Sequence, residues 1–160
     1  MTVIAWANRP REEAALLNPA FCGRLLLVAI TEYGDPGMPF PISFLVLPLV
    51  LHKRTRDKLP ETIRTSIPIW LQKNPELRVG FDRRAAGLTG YTREALLFLL
   101  LHKKITTADQ LLVPAVKVLS DKEPESEEIK DCLRRARFVG RWLARGGTPA
   151  TLYALFGIRP

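Results

Sequence analysis

The sequence predicts a mainly α protein: a compact helical domain with a winged-helix-like segment, which includes a short β-hairpin, and a long C-terminal helix. Two observations predict the helices: apolar residues recur at intervals of three and four, and capping residues precede prolines at several helix starts. A third, two short apolar runs around a polar turn, predicts the hairpin. The 160 residues, 47% apolar and 25% charged, are typical of one globular domain.

The first two helices are expected near the N-terminus. Asn18 before Pro19 has the pattern of an N-cap followed by a first-turn proline, which predicts a helix over residues 19–33. The following run, residues 44–51, is apolar on every side. It therefore predicts a central helix that is kinked at Pro48, surrounded by other helices and followed by an abruptly basic exit.

The middle part of the chain carries three further helix starts. Ser66 stands two residues before a proline, Asn74 stands directly before one, and Thr92 stands before an apolar run. These signals predict three short helices joined by tight turns, over residues 67–73, 75–87 and 93–103.

A small hairpin is expected directly after these helices. Ile105 and Thr106 form its first expected strand, residues 107–110 its polar turn and residues 111–113 its second strand. The turn lacks the Asn-Gly pair that favours tight hairpins. In a winged-helix domain, helices are followed directly by a hairpin. The same order of elements here predicts this fold for residues 66–118.

Charge divides the C-terminal part in two. Residues 121–131 hold six acidic and two basic side chains, so their net charge is −4, and they are expected to form an acidic hinge. Ser126 then caps a long helix over residues 127–145, whose first acidic residues stand at its positive end. A last short helix, ended by Gly157, completes the C-terminal helices at 127–156.

These parts are expected to form a single domain, with the winged-helix-like part at 66–118 between a helical N-terminal part at 18–58 and the C-terminal helices. The chain has 24 Lys and Arg against 16 Asp and Glu, which gives a net charge of +8. Such a charge favours anionic partners without identifying one, and solubility alone also explains its sign.

The sequence does not favour an enzyme. It contains no phosphate loop and no G-x-G-x-x-G, G-x-S-x-G, H-E-x-x-H or EF-hand pattern, and a hydrolase would need a pocket of acids or histidines that it does not show. Cys22 and Cys132 stand in apolar surroundings without metal-ligand spacing, so buried thiols in a reducing compartment are expected. With no membrane span or signal peptide recognised, a cytoplasmic protein is expected.

An arginine stripe on the long helix is the first candidate docking surface. Its members are spaced 3, 4 and 4 residues apart, which places them along one side of the helix, away from its apolar side; they are Arg134, Arg137, Arg141 and Arg145. Arginine forks bind phosphate or carboxylate in a bidentate way, so DNA or an acidic protein are the candidate partners. A solvated stripe tuned to the helix dipole remains the alternative.

Three further sets of residues are candidates for contact with a partner or with DNA. The second basic group lies just after the central apolar run and comprises Lys53, Arg54, Arg56, Lys58 and Arg64; a loop kept soluble beside a very apolar helix is the alternative. Lys103 and Lys104 precede the expected wing, where phosphate contacts are common. Trp142 is one of the aromatic residues near the C-terminus. These residues either pack in the core or form a docking face for a partner, and the sequence leaves both alternatives open.

Several segments resemble the middle component of bacterial three-component ABC systems. The likeness spans essentially the whole chain and includes Asn18-Pro19-Ala20-Phe21-Cys22, Tyr91-Thr92-Arg93-Glu94-Ala95-Leu96 and Phe138-Val139-Gly140-Arg141-Trp142.

The resemblance implies a subunit without catalytic residues, encoded between an effector, often a nuclease, and an SMC/Rad50-like ABC ATPase. It further implies anti-phage and anti-plasmid defence, as in systems called Lamassu, with the ATPase recognising foreign DNA and this subunit helping to hold the effector inactive until then. No cofactor is expected here, since ATP and metal would belong to the partner subunits and double-stranded DNA would be met through the complex. A free-standing basic winged-helix DNA-binding protein is the alternative.

Overall fold

Helices make up most of the protein, which confirms the mainly α prediction. The computed structural model describes residues 17–117 and 126–159. In chain order the elements are α1 (Pro19–Tyr33), β1 (Met38–Pro39), α2 (Phe40–Ser43), α3 (Val46–Leu51), α4 (Lys53–Asp57), α5 (Ile67–Lys73), α6 (Pro75–Arg78), α7 (Phe81–Leu101), β2 (Ile105–Ala108), β3 (Leu111–Pro114), α8 (Glu127–Ala144) and α9 (Pro149–Leu155).

Helix α1 has the predicted boundaries and lies at the centre of the fold. The side-chain oxygen of Asn18 accepts a hydrogen bond from the backbone N–H of Phe21 at 2.9 Å, and the helix ends at Gly34 in a positive-φ conformation, φ +87°. The helix packs against α3, α7 and α8. Most of its apolar side chains are therefore buried on several sides rather than along one stripe.

The central apolar run is buried as predicted, but the prediction of one helix kinked at Pro48 was wrong. The chain turns earlier, at Phe44 and Leu45, whose N–H groups bond the carbonyls three residues back. Pro48 has no N–H with which to bond the carbonyl of Phe44, so the regular helical hydrogen bonding is interrupted at this turn. Pro48 instead occupies the first turn of α3, where a missing N–H costs little.

The middle helices divide at a different place from the predicted one. The first start, at Ser66, is confirmed, and α5 covers the predicted residues. The expected break between residues 87 and 93 is wrong, because the chain breaks at Gly80, φ +74°, and continues as one helix of 21 residues. Thr92 is fully buried in the interior of α7 and does not cap a helix.

The predicted hairpin is present and is part of a larger sheet. Strands β2 and β3 pair antiparallel, with Asp109 and Gln110 at φ +51° and +64° in the two-residue turn. Positive φ at both positions is the geometry of a type I′ turn, here formed without the usual Asn-Gly pair. Strand β1, which the sequence did not predict, pairs with β3, so the sheet order is β1-β3-β2. The winged-helix assignment itself stays a prediction.

Helix α8 confirms the predicted long C-terminal helix and lies very close to α1. The Ser126 hydroxyl accepts from the N–H of Ile129, as a capping residue does. A Cβ built on Gly140 would lie 2.3 Å from the carbonyl oxygen of Ala29, so only glycine permits this approach of the two helices. The short helix α9 follows, capped by Thr148.

The acidic hinge predicted for 121–131 lies partly outside the described residues, which resume at Ser126. Residues 127–131 belong to the first turns of α8. The division of the chain into parts at 18–58, 66–118 and 127–156 within one domain stays a prediction.

Candidate docking surfaces

The described residues offer no metal-binding cluster. Residues 17–117 and 126–159 hold no group of three or more His, Cys, Asp or Glu side chains placed to bind a metal ion. Cys22 and Cys132 are both buried, and burial raises the pKa of the Cys132 thiol, which suits an inert side chain. Within the same ranges, no helix has the length and apolar character to cross a bilayer.

The arginine stripe lies along the solvent-facing side of α8, with all four side chains exposed. Arg134 donates to Asp131 one turn earlier at 2.6 Å, and Arg141 lies 3.7 Å from Glu32 of α1. Arg137 lines a shallow groove between α1 and α8 together with Lys117, and it has no ion pair with a described residue. The stripe therefore combines partly neutralised arginines with Arg137, whose guanidinium no described acidic side chain neutralises.

The second basic group does not form one surface. Lys53, Arg54, Lys58 and Arg64 are exposed, and Lys53 and Lys58 pair with Asp57 and Glu76 at 2.6 and 2.9 Å. Arg56, in contrast, is 2% exposed and is not available to an external partner.

Helix α4, which carries this group, begins at His52. The Nδ1 of His52 accepts from the N–H of Thr55 at 3.3 Å, which an imidazole can do only while that nitrogen is unprotonated. Burial, and then the charges of Arg84 and Arg54, lower the pKa of His52. The same charges thus keep the cap functional and give this end of α4 a positive environment.

Arg56 forms a buried network that joins α4 to α8. Its guanidinium donates to the carbonyl of Val50 at 2.8 Å and to Asp131 at 2.9 Å, and it lies 3.4 Å from Glu128. Burial alone would raise the pKa of Asp131, but hydrogen bonds from Arg134 and Arg56 outweigh it and hold that pKa below its ordinary value. Arg56 therefore acts as a structural cation in the core.

Arg135 is a second structural arginine, and the sequence analysis did not single it out. It is 6% exposed and donates to the carbonyls of Pro60 and Leu59 at 3.0 and 3.4 Å. Its guanidinium carbon lies 5.7 Å from the ring centre of Phe138. Its helical phase was the available signal: Phe138 and Trp142 follow at three and seven positions, which places Arg135 on an apolar side of α8.

Trp142 and the other C-terminal aromatic residues belong mainly to the core. Trp142 is 1% exposed, donates to the carbonyl of Thr65 at 2.7 Å and meets Trp70 edge to face at 5.2 Å. Phe156 stacks on Phe81 at 4.6 Å. Tyr153 is half-buried and donates to the carbonyl of Pro41 at 2.6 Å. Trp142 is thus closed to external partners, whereas Tyr153 reaches the surface.

Lys103 and Lys104 occupy the turn between α7 and β2. Both side chains are exposed, and neither has an ion pair with a described residue. Lys103 adopts φ +55°, and the backbone N–H of Lys104 bonds the carbonyl of Leu99 at 2.8 Å. This hydrogen-bonded turn fixes the two cations at the end of α7.

An open groove of about 610 Å³ lies between α2, the first half of α7 and the residues after α9. We call it the aromatic groove, because its walls include Phe40, Phe44, Tyr153 and Ile158. Phe40 is 45% exposed and meets Phe44 edge to face at 5.1 Å. The arginines at its edges are Arg93 and Arg159, and Asp82 is an acidic lining residue. The volume and apolar walls suit a ligand group or a partner's side chains.

Comparison with known proteins gives one family. A family model described as ABC-three component (ABC-3C) system Middle Component 3 matches residues 6–160, which is almost the whole chain. No curated protein and no solved structure matches the chain.

Proposed function

Because the chain belongs to the middle component 3 family of ABC-three component systems, we propose that it is a non-enzymatic adaptor in a bacterial defence complex. In this proposal it bridges an SMC/Rad50-like ABC ATPase and an effector nuclease, as in Lamassu-type systems, and helps to keep the effector inactive until foreign DNA is sensed. Membership of the family is consistent with an accessory role in a defence system.

The separation of the two candidate surfaces is the observation that carries this proposal. The arginine stripe is on α8 and the aromatic groove is bordered by α7, and both helices pack on α1. Gly23 of α1 faces α7, whereas Ala29 faces α8. At 100° per residue these positions are about 120° apart around α1. Two partners can therefore bind without competing for the same side of the molecule.

The arginine stripe suits the partner that carries negative charge. Arg137 has no ion pair with a described residue, and Arg141 is only loosely paired with Glu32 at 3.7 Å. Guanidinium groups in this state can form bidentate contacts with carboxylates or DNA phosphates without first breaking strong internal ion pairs. An acidic region of the ATPase, or DNA held by it, fits this surface.

Co-expression with the products of the two neighbouring genes tests the adaptor proposal. A tag on this subunit should recover both the ATPase and the effector in one complex of fixed stoichiometry. The complex should also form when the ATPase carries an inactivated nucleotide site, because the adaptor contacts do not require hydrolysis. Failure of the three proteins to co-purify would contradict the proposal.

A free-standing DNA-binding protein is the second candidate. It is favoured by Lys103 and Lys104, which lie exposed beside the hairpin and have no ion pair within the described part of the chain. The isolated subunit should then bind duplex DNA with an affinity that falls steeply as salt is raised, in proportion to the phosphates contacted. Lys103→Ala with Lys104→Ala should reduce this salt slope. Absence of binding at low salt would eliminate this candidate.

A further inference from the structure

The C-terminal half of α7 exposes a row of large apolar side chains. Leu97, Leu100 and Leu101 are 55%, 40% and 71% exposed, and we call them the leucine ridge. The opposite side of the same helix is buried at Ala95, Leu96 and Leu99. The exposed leucines are therefore not needed to attach α7 to the core, and together they form an apolar patch of the kind found at interaction sites.

The leucine ridge continues the aromatic groove along one side of the helix. Asp82, Ala86, Thr89 and Arg93 line the groove, and Leu97 and Leu100 follow at the spacing of four and three that keeps residues on one face. From Asp82 to Leu101 this face is about 28 Å long at 1.5 Å per residue. That length matches five turns of a second helix lying beside α7.

Cations outnumber acids along this face, although Glu94 stands beside the ridge, three positions before Leu97. Arg93 stands at its middle, exposed and without an ion pair to a described residue, while Lys103 and Lys104 stand beyond the ridge. Arg159 lines the groove at the other end, where Asp82 is the opposing charge. An apolar surface edged by cations that have no ion pair with a described residue is complementary to an amphipathic segment with acidic flanks.

From these observations we infer that the outward face of α7 binds an amphipathic, acidic helix of a partner subunit. Apolar residues of that helix, spaced three and four apart, would fill the aromatic groove and cover the leucine ridge, and a carboxylate would pair with Arg93. The inference rests on the proposed adaptor function and names the surface that one of the two partners occupies.

A second copy of this chain fits the surface less well. Antiparallel packing of two leucine ridges, with Leu97 opposite Leu100, would place Arg93 of each copy opposite Lys104 of the other. Like charges facing each other across an interface oppose association. The face also does not suit DNA, because its exposed centre is apolar rather than basic.

Variants of the full-length subunit in the three-component co-expression test the inference. Leu97→Asp with Leu100→Asp should reduce recovery of one partner at least tenfold and leave the other partner bound. Arg93→Glu should weaken the same partner. The matched control is Ile69→Asp, which changes an apolar side chain of α5 that is 48% exposed, and it should leave both partners bound.

The results separate this inference from the adaptor proposal. Normal recovery of both partners by the Leu97/Leu100 variant overturns the inference and leaves the adaptor function intact. If the wild-type protein recovers neither partner, both fail. Retention of the second partner shows that the variant is folded, and a melting temperature within about 2 °C of wild type, by the usual scaling of small stability changes, checks this on the isolated subunit.

Photo-crosslinking identifies what covers the face. A benzoylphenylalanine at position 97 in the assembled complex should attach to a peptide of the partner subunit with acidic residues and apolar residues at helical spacing. The same group at position 69 should not attach to that peptide. Crosslinking at position 97 to a second copy, to another part of this chain or to a segment without acidic residues would overturn the inference.

Discussion

Arginines on the two sides of α8 have opposite environments. On the inner side, Arg56 of α4 and Arg135 are buried against backbone carbonyls, and Arg56 also binds Asp131. On the outer side, the arginine stripe is exposed, and its ion pairs with described residues are those of Arg134 and Arg141. The residue type is the same in both sets: helical phase places Arg135 on the inner side of α8 and the stripe on its outer side, whereas Arg56 reaches the inner side from α4 through its contact with Asp131.

Part of the net charge of +8 is buried and is used inside the protein. The inner guanidinium groups donate hydrogen bonds to buried backbone carbonyls. Arg56 bonds the carbonyl of Val50 near the end of α3, and Arg135 bonds that of Pro60 in the segment after α4. Arg78 also donates to a backbone carbonyl, that of Leu155 in α9, although this arginine is exposed. The charge available to partners is therefore smaller than the composition suggests, and it is concentrated on particular surfaces.

The largest expected effect tests how tightly the inner side of α8 is packed. Gly140→Ala places a Cβ 2.3 Å from the oxygen and 2.9 Å from the Cα of Ala29, and these are backbone atoms that cannot rotate away. We expect a loss of about 3 kcal/mol or more in the free energy of unfolding, measured by urea denaturation, since overpacking of this kind forces backbone shifts.

Gly87→Ala is the matched control for that substitution. A Cβ at Gly87 of α7 has nothing within 4 Å, and the residue is exposed in a helix interior. Alanine there should stabilise the protein by about 0.5 to 1 kcal/mol through helix propensity. Equal effects of the two substitutions would mean that α1 and α8 are not in close contact in solution.

The next largest expected effect is a difference in stability between variants of two arginines, Arg56 and Arg134, which bind the carboxylate of Asp131 from opposite sides. Arg56→Met removes the buried partner of Asp131 and of the Val50 carbonyl, whereas Arg134→Met removes an exposed partner of Asp131. We expect a loss of roughly 2 to 3 kcal/mol for Arg56→Met, below the full value for a buried pair because Asp131 is partly exposed, and under about 1 kcal/mol for Arg134→Met.

Denaturant unfolding of both variants measures this difference. Similar losses for the two variants would show that burial does not distinguish the inner arginine from the outer one.

The pH dependence of stability reports on the same carboxylate. Because the folded-state pKa of Asp131 lies below that of the unfolded chain, its contribution is complete above the ordinary aspartate pKa and is lost as the pH falls through the folded-state value. The stability difference between wild type and Asp131→Asn should thus be largest at neutral pH and shrink in acid. Denaturation at a series of pH values measures it, and a constant difference contradicts the assignment.

The sequence predicted those elements whose signals are local. Asn18, Ser66 and Ser126 each cap a helix where expected, because a capping hydroxyl or amide needs only the N–H three residues later. Thr92 failed as a cap because the same residue type also occurs inside a long helix, where Thr92 is fully buried. Strand β1 was missed because it has only two residues, Met38 and Pro39, which show no strand pattern of their own. They form a strand by pairing with β3, which is distant in the sequence.

The candidate surfaces were predictable to the extent that helical phase could be read from the sequence. The outward direction of the arginine stripe followed from its spacing, whereas the burial of Arg56 depends on Asp131, which lies 75 residues away. The leucine ridge was hidden for a different reason. Residues 95–101 are apolar on every side, so sequence alone gives no way to tell the buried leucines from the exposed ones.

The smallest expected change in stability belongs to the outer side of α8. Arg137→Glu with Arg141→Glu alters exposed side chains, so the free energy of unfolding should change by less than about 0.5 kcal/mol. Assembly of the complex or retention of DNA should nevertheless weaken, and the remaining binding should depend less on salt, because fewer charges are screened. Titration of the purified partners at two salt concentrations measures this. If the double variant fails to fold, the outer arginines are structural and the distinction between the two sides of α8 is wrong.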